Sequence, residues 1–361
     1  MKITFLLPGS GHAPLGGFKV IYEYANGLVR SGHAVTVVSP AILDPSAPLH
    51  HLAYQWVRYA QRRFDKSYVP ARWFDLDPRV RVRYVATLAE KHIPDADVVT
   101  ASAWQTAEYA ARYALAKGRK LYLIHDYEHY RVATPQIRQR ICATLRAGLR
   151  NIVTSPAGEE MLAECGAVVH ATIPNGLDLD LYRLQTPIES DERTLIGFPY
   201  RHESFKGTSD AIAALEIVRG KFPIRVWAFG RSAKKKLPAW ITLHTGISDS
   251  ELAGLYNSTQ IFVTASHYEG WGLPGSEAMA CGAALASTDN GGVRAYAQHE
   301  KTALLSPPQD PAALAANIER FLRDRGLRLR VARSGYEAIQ GFDWPSSVRA
   351  FARCATEAAR S

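Results

Sequence analysis

Two glutamates bracket a knot of glycines in the stretch HYEGWGLPGSEAMACG, which runs from His267 to Gly282. Gly270, Gly272 and Gly275 let the backbone turn tightly and approach a ligand closely, and Pro274 suits the first turn of a helix. PGSEAMACG is therefore expected to be a helix whose N-terminus points into the knot. Its N–H groups and dipole favour an anion there. Glu277 lies early in that helix, and Glu269 lies in the loop at the end of the strand QIFVTAS. Carboxylates accept hydrogen bonds from sugar hydroxyls while amides take an anion, so the set suits a ligand that carries both. Either acid alone would read as a solvated charge. The glycines, the proline and EAMACG arriving with them point to a site.

Arg201 and Lys206, in YRHESFKG, follow the strand RTLIGFPY (193–200). Fixed cations at a strand end can stabilise charge that builds on a leaving phosphate. His125 closes the strand KLYLIHD (120–126), with Asp126 beside it and His129 as the alternative. A lone histidine is usually structural, but its place at a strand end favours a functional role. LPGSGHAPLGGF fails as a dinucleotide fingerprint: Pro14 stands where a third glycine is needed after Gly9 and Gly11, and the next strand ends at Ser39–Pro40 without an acid. The DLD, DAD and DLD triplets at 75–77, 95–97 and 178–180 read as loop and cap acids. No essential metal and no cofactor are expected, because Arg201, Lys206 and the helix can neutralise a leaving group.

Strands must carry these residues to a common edge. Short apolar runs alternate with helical patterns over most of the 361 residues. ITFLLP, AVTVVSP and DVVTAS are among the early runs, and RTLIGFPY, IRVWAFG and QIFVTAS among the later ones. That alternation is the mark of repeated βαβ units around parallel sheets, and near-continuous apolar strands are those covered on both faces. The series pauses in the polar segment 177–192. Two doubly wound α/β domains are expected, residues 1–182 and 183–343, with a last helix at 344–361 packing back on the first. Ligands in such sheets bind at the carboxyl ends of the strands.

Composition narrows the partner class. Apolar residues make up 47% of the chain, no run is long enough to cross a bilayer as a helix, and MKITFLLPGSG reads as a first strand rather than a signal peptide. A cytoplasmic protein is expected. Cys142, Cys165, Cys281 and Cys354 form no CxxC pair and are expected to be buried thiols. The net charge of +9 favours anionic partners. Segment 55–91 is basic and aromatic, with nine Lys or Arg against four acids, and reads either as a contact for an anionic membrane or a lipid-linked acceptor, or as a solvated surface.

The knot closely resembles the E-x7-E signature of retaining glycosyltransferases of the family 4 type, which have the GT-B fold. LGGFKVIYEYANGLVRSGHAVTVVS, IPNGLD, YRHESFKG and SDSELAGLYNSTQIFVTASHYEGWGLPGSEAMACG resemble further family segments in the same order. The resemblance implies two Rossmann-like domains facing a central cleft. It implies a donor site of Gly16, Gly17, Arg201, Lys206, Ile247, Glu269, Gly270, Trp271, Gly272, Leu273 and Glu277. Arg201 and Lys206 would hold the donor diphosphate, and the Gly16 and Gly17 amides would approach it from the first domain. Glu269 and the Gly270–Leu273 amides would hold the sugar, Glu277 the ribose, and His125 the reacting centre. Two departures stand out. GFPYR separates Gly197 from Arg201, and GAALASTDNGGVRAY has neither the usual strand proline nor an acid after its glycine pair.

The sequence therefore reads as a metal-independent hexosyltransferase using a nucleotide diphosphate sugar. GGFKVIYEYANGL resembles enzymes of bacterial cell-surface polysaccharide synthesis, rhamnosyltransferases included. The acceptor is expected to be a glycan or a lipid-linked molecule, with the protein peripheral at the inner face of the membrane. A GT-B nucleotide-sugar epimerase would instead convert donor without acceptor. A basic nucleic-acid-binding protein would show strongly salt-dependent binding, and no nucleic-acid motif supports it.

Overall fold

The computed structural model describes residues 1–11, 16–71, 73–125, 127–230 and 237–360. The chain forms two compact units. The first comprises Met1–Thr154, Gly158–Asn175 and Trp344–Ser361, and the second Ser155–Ala157 and Gly176–Asp343.

The first unit contains β1 (Lys2–Leu6), α1 (Gly16–Arg30), β2 (Ala34–Pro40), α2 (Leu49–Asp65), β3 (Arg81–Val85), β4 (Val98–Ala101), α3 (Trp104–Ala110), β5 (Arg119–Leu123), α4 (Tyr127–Val132), α5 (Pro135–Leu145) and β6 (Arg150–Val153). Next come α6 (Pro156–Glu164) and β7 (Ala171–Thr172). Among the described residues the sheet order is β3-β2-β1-β4-β5-β6-β7, all parallel.

The second unit holds β8 (Leu195–Pro199), α7 (Thr208–Arg219), β9 (Arg225–Gly230), β10 (Ile241–Thr245), α8 (Asp249–Asn257), β11 (Thr259–Thr264), α9 (Leu273–Ala280) and β12 (Ala284–Thr288). It continues with β13 (Leu304–Ser306), α10 (Pro311–Arg323) and α11 (Arg325–Ile339). Its order is β10-β9-β8-β11-β12-β13, again parallel. Both are doubly wound α/β sheets. The strand order reverses between β1 and β4 in one and between β8 and β11 in the other, and that reversal point is where such sheets open a crevice for ligand.

Every residue of β4 and of β12 is buried, as expected for strands covered on both faces. Helix starts follow their caps. Ser248 accepts from the Glu251 amide while Glu251 accepts from Ser248, and Asp310 and Asp324 cap α10 and α11.

The helix α12 (Trp344–Arg360) belongs to the first unit and packs on α1, β4 and β5. Val348, Phe351, Ala355 and Ala358 recur at helical spacing and are buried. Phe351 lies 5.4 Å from the Phe5 ring and 5.2 Å from that of Tyr24. Gly27 of α1 is glycine because a Cβ there would sit 2.5 Å from a Val348 methyl.

Two expectations need correction. The units change at Asn175–Gly176, and the polar stretch 177–192 is part of the second unit, with Tyr182 buried and the Leu177 amide donating to Phe342. Cys142 on α5 and Cys165 after α6 form a disulfide, and only Cys281 and Cys354 are buried thiols. Residues 23 apart carry no short-range signature, and the chain returning past β6 brings them together.

Candidate active site

Arg201 follows β8 and Glu269 follows β11, the two strands that flank the reversal point of the second sheet. The loop between β8 and α7 is folded onto the end of β11. Gly207 makes this possible: its φ is +63°, and a Cβ would lie 1.8 Å from the Ala265 carbonyl oxygen. The His267 amide donates to the Phe205 carbonyl at 2.7 Å. This brings Lys206 Nζ to 2.9 Å from Glu269 Oε2, in a pair whose side chains are 21% and 16% exposed.

The other carboxylate oxygen of Glu269 accepts from Ser266 Oγ at 2.8 Å, and its amide donates to the Asn290 carbonyl at 3.0 Å. The Arg201 guanidinium donates to the Tyr200 carbonyl at 3.0 Å and lies over the Phe229 ring. Its backbone is clasped by Thr208, whose hydroxyl accepts from the Arg201 amide and donates to its carbonyl. Gly197 does not adjoin Arg201 because it lies within β8, where a Cβ would strike the Trp227 ring at 2.5 Å.

Gly272, with φ +91°, precedes α9, and Pro274 occupies its first turn. Trp271 offers the site a backbone amide only. Its indole is buried, donates to Ser276 Oγ and packs against Tyr296 and Phe342. Gly292 passes beneath the knot, where a Cβ would lie 2.6 Å from the Trp271 nitrogen. The Tyr296 hydroxyl donates to the Gly272 carbonyl at 3.0 Å, so the 290–296 segment braces the knot from below.

Glu277 sits in different surroundings from Glu269. It is 7% exposed and accepts from the Tyr256 hydroxyl at 3.2 Å. Burial, and then the charge of Glu277, pushes the ionisation of Tyr182 and Tyr256 upward and that of Cys281 up to about 12. Ile247 packs against the same apolar cluster.

Sequence reasoning missed four residues here. Ser266 holds Glu269, while His267 contacts Asp210 Oδ2 at 2.7 Å through Nε2 and Gln309 Nε2 at 3.1 Å through Nδ1. Proximity to Glu269 was the one signal for Ser266 and His267. Asp210 and Gln309 offered none.

In the first unit, Gly16 and Gly17 open α1, are exposed, and have no acid in the first turn; a Cβ on Gly17 would meet nothing within 4 Å. His125 follows β5. Its Nε2 is buried with no hydrogen-bond partner, and burial lowers its pKa to about 4, so the ring is neutral at pH 7. His129 is exposed on α4. Asp126 and Pro14 lie outside the described residues. Four of the DxD acids have partners: Asp77 with Arg79, Asp95 with Lys117, Asp97 with the Lys2 amide and Asp178 with the Leu181 amide.

Comparison with known proteins agrees with the two-domain fold. The family described as "Glycosyltransferase Family 4" matches residues 16–181, and "Glycosyl transferases group 1" matches 187–338. A D-inositol 3-phosphate glycosyltransferase of Xylanimonas cellulosilytica is 28% identical over 203 residues, 49% of each chain. A glycogen synthase of Mycobacterium tuberculosis is 29% identical over 165 residues, 42% of this chain and 40% of its own. The chain thus matches about half or less of the length of these relatives. Among solved structures, Anabaena Alr3699/HepE in complex with UDP and glucose superposes with a TM-score of 0.73 at 18% identity, covering 99% of this chain and 100% of that one. Sucrose-phosphate synthase from Thermosynechococcus elongatus gives 0.72 at 19% identity, covering 99% and 98%. At such identities the likeness shows the fold. Residues 16–181 are thus similar to the family 4 glycosyltransferases and residues 187–338 to the group 1 glycosyltransferases, in a chain built on two doubly wound domains of the GT-B kind.

Proposed function

We propose that the protein transfers a hexose or deoxyhexose, rhamnose included, from a nucleoside diphosphate sugar to a hydroxyl of a glycan or lipid-linked acceptor, with retention of configuration. The observation that carries this reading is Lys206 Nζ at 2.9 Å from Glu269, beyond the carboxyl ends of β8 and β11 and just ahead of α9. The bond to be broken joins the anomeric carbon to a phosphate oxygen. A cation and a hydroxyl-accepting carboxylate placed side by side suit its two ends.

In this reading Lys206 turns from Glu269 to the diphosphate and acts with Arg201 on the charge that develops as the phosphate leaves. Each such contact is worth roughly 1.5–3 kcal/mol. Glu269 and the Gly270–Leu273 amides hold the sugar, Glu277 the ribose, and Gly16 and Gly17 the phosphates. The neutral ring of His125 offers a hydrogen bond near the anomeric carbon. Two cations brought to the leaving phosphate take the place of a divalent metal in this reading. Cell-surface polysaccharide synthesis at the inner face of the membrane is the setting we favour.

One structural neighbour is described in complex with UDP-glucose, which makes UDP the first nucleotide to try. The test is thermal melting with UDP, GDP, ADP and dTDP and their sugar conjugates in a metal chelator, on wild type, Lys206→Ala and Glu277→Ala. A ligand at a hundred times its Kd adds about 2.7 kcal/mol of stability. Stabilisation by one nucleotide, lost in both variants, is the expected result. No shift with any nucleotide overturns the reading.

A further inference from the structure

The helix α2 wears its amphipathicity inside out. It spans 17 residues, none of them buried. At about 100° per residue, Leu49, Ala53, Trp56, Val57, Ala60 and Phe64 fall within an arc of roughly 100°. In a globular protein such a stripe faces the core. Here Leu49 is 85% exposed, Trp56 50%, Val57 66% and Phe64 93%.

The side turned to the protein is more polar. Leu52, Gln55, Arg58, Tyr59 and Arg62 are half-buried, with the Tyr59 ring 5.3 Å from that of Tyr84 and the Arg62 guanidinium donating to Ser10 Oγ. The exposed apolar residues begin at Leu49, ahead of the basic stretch 55–91, in which Val80, Tyr84 and Leu88 are buried.

We propose that α2 lies flat in the surface of an anionic lipid bilayer, with the Leu49–Trp56–Phe64 arc among the acyl chains and Arg63 and Lys66 at the headgroups. Charge and residue type select this occupant. The helix carries Arg58, Arg62 and Arg63 against one acid, Asp65, with Lys66 at its end, in a chain of net charge +9. A large apolar face of Trp, Phe and Leu with arginines beside it is the composition of interfacial helices, and each basic residue near an anionic surface adds attraction. A second copy of the chain pairs poorly here. Two-fold packing of this arc would bring the two Arg63 side chains, which border it, toward each other.

The inference does not rest on glycosyl transfer, and its test contains neither saccharide nor nucleotide. The full chain is floated with vesicles of phosphatidylcholine alone and of phosphatidylcholine with phosphatidylglycerol, at low and high salt. Co-flotation with the anionic vesicles is expected, weakened at high salt. The partition coefficient should fall tenfold or more in Trp56→Ser/Phe64→Ser and in Arg63→Ser/Lys66→Ser. All four side chains lie at the surface, and unchanged melting confirms folding. Failure of wild type to float, or equal flotation of the aromatic pair variant, overturns the proposal. So does light scattering that shows a dimer which Trp56→Ser/Phe64→Ser converts to monomer, since the face would then join two copies.

Discussion

Replacing Glu269 with glutamine should make the protein hold a bare nucleoside diphosphate more tightly while slowing sugar transfer. Glutamine keeps the shape and still accepts from Ser266 Oγ, but it cannot form the ion pair with Lys206. At the observed 2.9 Å the gross attraction is about 6 kcal/mol for an effective dielectric near 20. Both side chains are partly exposed, so hydration lost on pairing offsets most of that, and about 1 kcal/mol net remains. A diphosphate that recruits Lys206 must first overcome this pairing. Freed by Glu269→Gln, the cation should bind phosphate about fivefold more tightly.

The sugar end changes in the opposite sense. Losing a charged acceptor for a sugar hydroxyl costs roughly 1.5–3 kcal/mol, or about a 10- to 150-fold drop in kcat/KM. Calorimetric titration with the nucleoside diphosphate, beside initial rates with its sugar conjugate, reads both. Should Glu269→Gln leave the diphosphate affinity unchanged or weaker, the proposed exchange of Lys206 between carboxylate and phosphate is wrong.

Three other outcomes are expected. His125 has a folded pKa of about 4 against an ordinary 6.5, so its contribution is fully present above pH 6.5 and is lost as pH falls toward 4, about 3 kcal/mol in all; denaturant melts near pH 7 and pH 4.5 should show a flatter acid limb in His125→Gln. Gly207→Ala should lose about 2 kcal/mol or more and lower Tm, because of its left-handed backbone and the Ala265 oxygen 1.8 Å from the new carbon, whereas Gly17→Ala should melt like wild type. Arg193→Met should lose about 3 kcal/mol in a denaturant titration, since the buried guanidinium serves the carbonyls of Thr186, Pro187, Thr259 and Cys281 together.

Much of the site was legible because position in a βαβ unit is a sequence property. Arg201 and Glu269 each follow an apolar run of the second sheet, and a parallel sheet sends the ends of such runs to one edge, while His125 follows a run of the first sheet. What the sequence hid depends on the chain folding back. Ser266 on Glu269, and Asp210 and Gln309 on His267, require the loop before α7 to lie across β11, a geometry set by Gly207. The fate of the Trp271 indole depends on Tyr296 and Phe342, neither of them near it in sequence. Segment 177–192 looked like a linker because its residues are polar, yet Arg193 draws its carbonyls inward. The sequence shows segment 55–91 as basic and aromatic, and only the structure shows the helix α2 and which way its apolar arc faces.

The placement of α12 fixes an order of events during synthesis. When Asn175 leaves the ribosome, Phe5, Tyr24 and Gly27 still await Phe351, Trp344 and Val348. The contiguous stretch 176–343 must be made before those partners emerge, so the part translated second is the first able to close its core. The nascent first unit meanwhile presents bare aromatic surface to its surroundings, the interval in which chaperones that bind exposed apolar chain would engage it.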